Sequence, residues 1–298
     1  MKKQERKNEA NKYILKFLKY LDIVKGRSHK TIKEYERKLI KFFNWANWLS
    51  PQKINKEIIW QFRVYLNDQK LDKKTQAYYL ITLRNFLKFL KNEGLDVIDP
   101  LLIELPKVKR KEIEILSEKE LNKFLNSINL DNQNLKSLRD KAILECLFST
   151  GLRVSELCNL NRDIDLEKRE IVVKGKGDQI RLVFLSQRAV EALKNYLQKR
   201  NDNFPALFIS LAKNSFGKRI TPRSIQKIIK YYAQKTGLTK NVHPHSLRHQ
   251  LATTLIAKGV DIRLVQELLG HKSISTTQIY THITKPKLKE IFEKYIDK

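Results

Sequence analysis

Cysteine is scarce in this chain. Only Cys146 and Cys158 occur among 298 residues, with neither CxxC spacing nor the paired framework of a small secreted domain. A disulfide-stapled scaffold is therefore excluded, and a reducing compartment fits. Apolar runs of the ~18 residues that a membrane span requires are absent. The opening MKKQERKNEANK lacks the apolar centre of a signal peptide, so the expected location is the cytoplasm, away from membranes. Acidic residues are also short in supply. Asp and Glu number 32 against 60 Lys and Arg, giving a formal net charge of +28. Internal repeats and low-complexity segments are missing as well.

What is present begins with that surplus of positive charge. Residues 1–110 and 111–298 share it evenly, so it is not a basic tail added to a neutral body. A polyanion, above all nucleic acid, is the expected partner of such a chain. Lysines that merely decorate solvated faces would give the same total, so charge alone names no fold. Hydrophobic residues make up 41%, enough to bury a core in each of two domains.

The first hundred residues carry four helical patterns. Ile14, Phe17, Leu18 and Leu21 keep the spacing of an amphipathic helix. Ser28 or Thr31 can cap a second, with Tyr35, Leu39, Phe42 and Phe43 inward, reaching Trp45–Trp48. Asn55 can cap a third carrying Ile58, Ile59, Phe62 and Leu66. The fourth runs from about Lys73 to Asn92, with Leu80, Leu83, Phe86, Leu87 and Leu90 inward, and Gly94 stops it. Asp99-Pro100 and Leu105-Pro106 then break the pattern, and residues 100–115 read as an extended basic linker. Ser117 and Glu120 have capping-box spacing and open a new helix. Beyond it the chain is mostly helical with one β interruption. Glu170–Lys174 and Gln179–Leu185 read as strands around the turn Gly175–Asp178, with a third short strand at Asp163–Leu166. Thr221-Pro222 places proline at a first helical position. Helices are expected at about 246–258 and 261–269, with Gly259 between them.

Four segments carry candidate chemistry. In His243-Pro244-His245-Ser246-Leu247-Arg248-His249, the i, i+3 spacing puts His245 and Arg248 on one helix face. His245 and His249 also stand at i, i+4, a metal-ligand spacing. The Glu of H-E-x-x-H and an acidic third ligand are lacking, so no metal site is expected. Gly151-Leu152-Arg153-Val154-Ser155-Glu156-Leu157 ends an apolar helix at Gly151 and starts another at Arg153, where Glu156 can orient the guanidinium. Alone, that is an ordinary ion pair. Gly175-Lys176-Gly177 is not a phosphate loop; at a hairpin tip it projects Lys176. His271 follows a helix-ending glycine, and Tyr280 stands nine residues later.

Together and in this order, the segments resemble the tyrosine recombinase (phage integrase) family, most of all its Xer-like members. GLRVSEL is similar to the family's first-arginine box, and GKG followed by Arg181 to its β-hairpin lysine motif. HSLRH followed by Ala252-Thr253 resembles the His-x-x-Arg box, and LGHKSISTTQIYTH the final His-to-Tyr box. The resemblance is dense over residues 115–282 and looser over the N-terminal bundle. It implies a mainly α fold with a small β-sheet, arranged as a two-domain C-shaped DNA clamp. Residues 1–100 would form a helical core-binding, SAM-like bundle, 101–115 a linker, and 116–298 an α+β catalytic domain.

The resemblance also implies a metal-free reaction without cofactors, on double-stranded DNA bearing a specific site. Tyr280 would be the nucleophile. Arg153 and Arg248 would clamp the phosphate, His245 would accept the tyrosine proton, Lys176 would protonate the leaving oxygen, and His271 would donate to a phosphate oxygen. Four subunits would exchange strands through a Holliday junction, with a paralogous recombinase or a DNA translocase as possible partners. The role would be chromosome dimer resolution or mobile-element integration and excision. The end helix, residues 284–296 with Leu288, Ile291, Phe292 and Ile296, would dock onto a neighbouring subunit or pack on its own domain. Lys30, Thr31, Lys73, Tyr79 and Arg84 are candidates to enter the major groove, although phosphate contact is the commoner fate of such lysines. The alternatives are a type IB topoisomerase-like nicking and sealing enzyme, or a DNA-binding protein that keeps the fold without catalysis.

Overall fold

Polar caps start the helices where the sequence places them. Ser28, Asn55 and Asp72 each accept a hydrogen bond from the backbone N–H three residues on, satisfying a donor that the first turn leaves without an intrahelical partner. They open α2 (His29–Trp45), α3 (Lys56–Asp68) and α4 (Lys73–Asn92), which follow α1 (Lys3–Ile23). The structure is a computed structural model that describes residues 3–107, 114–129, 134–174, 180–270 and 294–296. It separates into two units, Met1–Lys111 and Glu112–Lys298.

The first unit is a bundle around an aromatic core. Phe17, Phe42, Phe43, Phe62 and Phe86 are fully buried. Phe42 meets Phe62 edge-on at 4.9 Å between ring centroids, and Phe43 meets Phe86 edge-on at 5.8 Å. Edge-to-face pairs let one ring's positive rim meet another's negative face, so this core is directional as well as apolar. The first residues of the expected linker are not extended but pack on the bundle. Pro100–Leu102 forms one turn of 3-10 helix, capped by the Asp99 side chain. Ile103 is fully buried in the first core, and Leu105 packs against it. Proline does keep these residues out of an α-helix, but Ile103 is apolar and the bundle has room to bury it.

The second unit is built on α6 (Leu135–Thr150), a helix buried almost all round. Around it lie α5 (Glu118–Leu125), α7 (Val154–Asn159), α8 (Gln187–Gln198), α9 (Pro222–Lys235), α10 (Pro244–Ala257) and α11 (Ile262–Leu269). Ser117 and Glu120 form the reciprocal capping box of α5. Thr221 caps α9 with Pro222 in its first turn. Strands β1 (Glu170–Lys174) and β2 (Ile180–Phe184) pair antiparallel, with Glu170 opposite Phe184 and Lys174 opposite Ile180.

The third strand expected at Asp163–Leu166 does not form. The Asp165 carboxylate accepts from the amides of Glu167 and Lys168, both at 3.1 Å, and this side-chain turn diverts the backbone from a ladder. α10 begins two residues before the expected start because His243 caps it and Pro244 occupies its first turn. Of the end helix, residues 294–296 are described. They are helical, and Tyr295 and Ile296 pack against the cluster of Leu251, Leu255, Val260 and Val265 in the same unit.

Candidate active site

Two tight turns bring distant arginines together. Gly151 ends α6 in the left-handed region at φ 58°, and Gly270 ends α11 in the same way at φ 64°. Both positions also need glycine for space. A Cβ on Gly151 would stand 2.5 Å from Leu269 Cδ2, and one on Gly270 would stand 2.8 Å from Arg181 Cδ. The ends of α6 and α11 thus meet closely, and their free carbonyls become acceptors.

Arg248 exploits this. It lies on α10, 3% exposed, and donates to the Gly151 and Leu269 carbonyls. Arg153 stands at the start of α7, with its side chain 35% exposed. Its Nη1 donates to Glu156 Oε1 at 2.8 Å, and its backbone amide donates to Oε2 at 2.8 Å. Its Nη2 reaches the Gly270 carbonyl at 3.4 Å. The two guanidiniums therefore converge on consecutive carbonyls at the end of α11.

Among the described residues the local charge is unbalanced. Arg153, Arg181 and Arg248 gather around one carboxylate, Glu156. Burial works to raise the Glu156 pKa, but hydrogen bonds from Arg181 and Arg153 overcome it and hold the value at about 2. Arg248 is pushed down to about 10 by burial and by the positive charges of Arg153 and Arg181. Like charges held together at this cost are relieved by an anion, and a phosphate with its transferring negative charge is a natural occupant. Preorganised guanidiniums also match phosphate oxygens in a planar fork.

His245 stands three residues before Arg248 on α10. Its pKa is lowered first by partial burial, then by electrostatic interaction with His249, Arg248, His243 and Arg153. The imidazole is thereby kept neutral at physiological pH, as a proton acceptor must be. Its ring lies 6.3 Å from that of His249. Among the described residues, no group of three or more His, Cys, Asp or Glu side chains is placed to hold a metal ion. Lys176, His271 and Tyr280 lie outside the described residues.

Arg181 was legible only as the end of the lysine motif, and Glu156 only as an orienter of Arg153. A stronger signal was available: Arg181 alternates onto the face of β2 that carries buried Val183. A charge on the inward face of a strand calls for a buried partner of opposite sign.

The candidate DNA-reading residues divide. Lys30 and Lys73 are exposed in the first turns of α2 and α4, and Thr31, next to Lys30, has its hydroxyl 2.9 Å from Ser28 Oγ. Tyr79 does not belong with them. It is 5% exposed in the aromatic core, edge-on to Phe62, because the inward face of α4 passes through position 79. Its neighbour Tyr78 is 51% exposed. Arg84 is half-buried and donates to the Ile103 carbonyl, so it secures the segment after the bundle. No helix among the described residues is long and apolar enough to cross a membrane.

Comparison with known proteins adds an independent line. The model of the phage integrase family matches residues 114–287, and that of the phage integrase N-terminal SAM-like domain matches residues 14–94. A protein of Thermodesulfovibrio yellowstonii named tyrosine recombinase XerC is 39% identical, covering 95% of each chain. One of Oceanobacillus iheyensis named tyrosine recombinase XerD is 38% identical, covering 94% of this chain and 96% of its own. The structure of XerH site-specific recombinase bound to a palindromic difH substrate is 29% identical with a TM-score of 0.68. It covers 87% of this chain and 78% of its own.

Proposed function

The chain belongs to the phage integrase family of tyrosine recombinases, and on that footing we propose that its arginine cluster is the phosphate clamp of a site-specific DNA recombinase with Tyr280 as nucleophile. The observation that carries the reading is the convergence of Arg153 and Arg248 on the Gly270 and Leu269 carbonyls, one and two residues before His271 in sequence.

In this mechanism Tyr280 Oη attacks the scissile phosphorus while the bond to the 5′ oxygen breaks. His245 takes the phenolic proton and Lys176 supplies one to the leaving 5′ oxygen. Arg153, Arg248 and His271 bind the non-bridging oxygens, whose charge grows in the transition state. The 3′-phosphotyrosine retains the energy of the broken phosphodiester. A 5′ hydroxyl from a second duplex attacks it, restoring the phosphodiester and the free tyrosine without ATP. A second round resolves the Holliday junction.

The division of labour follows the two units: the bundle grips the DNA site and the second unit cuts. Four copies act together on paired sites in the cytoplasm, with a paralogous recombinase or a DNA translocase as further partners. The similar identities to proteins named XerC and XerD support chromosome dimer resolution over mobile-element recombination. The nicking-and-sealing alternative is not favoured, because these relatives, matched over nearly the whole chain, are recombinases by name.

The test is a suicide substrate. Duplexes enriched for binding from a randomised, dyad-symmetric library are nicked near their centre, so that cleavage releases a short fragment and traps the enzyme. A covalent protein–DNA adduct that survives detergent, forms without added metal and disappears in Tyr280→Phe is expected. No adduct, or one that persists in Tyr280→Phe, defeats the reading. Joining of two such sites separates recombination from relaxation alone.

A further inference from the structure

We propose that Arg181 is a positioning residue for strand cleavage, holding Glu156, and through it the Arg153 guanidinium, in the orientation that meets the scissile phosphate. The proposal rests on the role given to Arg153 above.

Arg181 rises from β2 with its side chain 12% exposed. Its Nη1 donates to Glu156 Oε1 at 3.0 Å and its Nη2 to Oε2 at 2.6 Å. Arg153 uses the same two oxygens from the other side, through Nη1 and its backbone amide. Each carboxylate oxygen therefore receives one bond from each arginine. A two-point grip fixes the plane of the carboxylate, which a single donor leaves free to turn about its broad terminal torsion. With that plane set, the Nη1 of Arg153 has one place to point.

Other contacts separate the two arginines by task. Both outer nitrogens of Arg181 are committed to Glu156, and its buried Nε has no hydrogen-bond partner among the described residues. Only 12% of its side chain is exposed. Its stem lies against Gly270, whose carbonyl also receives Arg153 Nη2. Arg153, by contrast, remains about a third exposed and open to a ligand. Strand β2, the start of α7 and the end of α11 thus meet at one buried contact, and a guanidinium buried with no partner for its Nε among the described residues is a costly way to obtain mere stability.

The experiment compares the full-length chain with Arg181→Met, Arg181→Lys and Glu156→Gln on the selected nicked duplex, reading single-turnover cleavage and half-saturating DNA concentration separately. In Arg181→Met, cleavage at saturating DNA is expected to fall on the order of tenfold to a hundredfold, as a misplaced clamp requires. The half-saturating concentration should change by less than about threefold, and Arg181→Lys should recover part of the rate. Combining Glu156→Gln with Arg181→Met should be no more than about threefold slower than the slower single variant, because both act on one contact.

Unchanged cleavage in both Arg181 variants overturns the proposal. So does a loss of affinity in place of rate, which would make Arg181 a DNA contact, and so do effects that multiply. If Arg181→Met does not fold, Arg181→Lys decides by the same rate and affinity criteria. If the unaltered chain forms no adduct, the functional reading fails and this inference fails with it.

Discussion

Glu156 accepts from Arg153 twice, through the backbone amide at 2.8 Å and through Nη1 at 2.8 Å. One carboxylate therefore caps α7 and aims the side chain that starts it. Buried among arginines, it has a pKa of about 2 against an ordinary 4.5.

This makes stability depend on acid in a defined direction. A depressed carboxylate pKa contributes fully above the unfolded value and is lost as pH falls through the folded one. Glu156→Gln is expected to lower unfolding free energy on the order of 2 kcal/mol at pH 7. The gap from the parent should narrow between about pH 4.5 and pH 2, measured by urea melts across that range. A gap constant with pH would show that ionised Glu156 is not what stabilises the fold.

Arg248 is held by two carbonyls, Gly151 and Leu269, from which a lysine's single ammonium cannot span in the same plane. Arg248→Lys is expected to slow single-turnover cleavage about 10²–10³-fold, the scale seen when one transition-state donor is lost. DNA binding should change far less. Near-normal cleavage by this variant would remove Arg248 from the phosphate clamp.

His245 has a pKa below 6.5 because of partial burial and the cations around it. A base must be neutral to act, so cleavage is lost as pH falls through that lowered value. More than half of the plateau rate should remain at pH 6.5, with the acid limb below it. His245→Ala should be slower and should lose that limb. A limb that survives in His245→Ala belongs to another group.

Lys30 and Lys73 are exposed and Tyr79 is buried. Replacing either lysine by alanine is expected to reduce the slope of log affinity against log salt by ~0.9, as one lost phosphate contact requires. Tyr79→Phe keeps the core ring and should leave affinity and slope unchanged. Binding isotherms at several salt concentrations check both; a large effect of Tyr79→Phe would mean that the core tyrosine reaches DNA.

Much of this fold was legible in one dimension. Periodicity placed the buried faces of α1 to α4, polar caps marked where α2, α3 and α5 start, and Pro222 marked the start of α9, because these signals are local. The failures were also physical. Asp165 turned a β-prone run away from pairing, and Ile103 was drawn into the bundle although prolines flank it. Tyr79 shows the same limit: aromatic and polar at once, it suits a groove or a core, and helix phase together with Phe62 decided for the core.

The chain's order of residues alone determined the chemistry on offer: two arginines, a lysine, two histidines and a tyrosine, in four separate boxes, on a chain of net charge +28. Only tertiary structure decided which of them meet. Gly151 and Gly270 had to end their helices in the left-handed region before their carbonyls could receive Arg248 and Arg153. Arg181 had to arrive from β2 to share Glu156. Such contacts depend on where packed helices end in space, which local periodicity does not encode, and they turn Arg153 and Arg248 from isolated charges into one cluster.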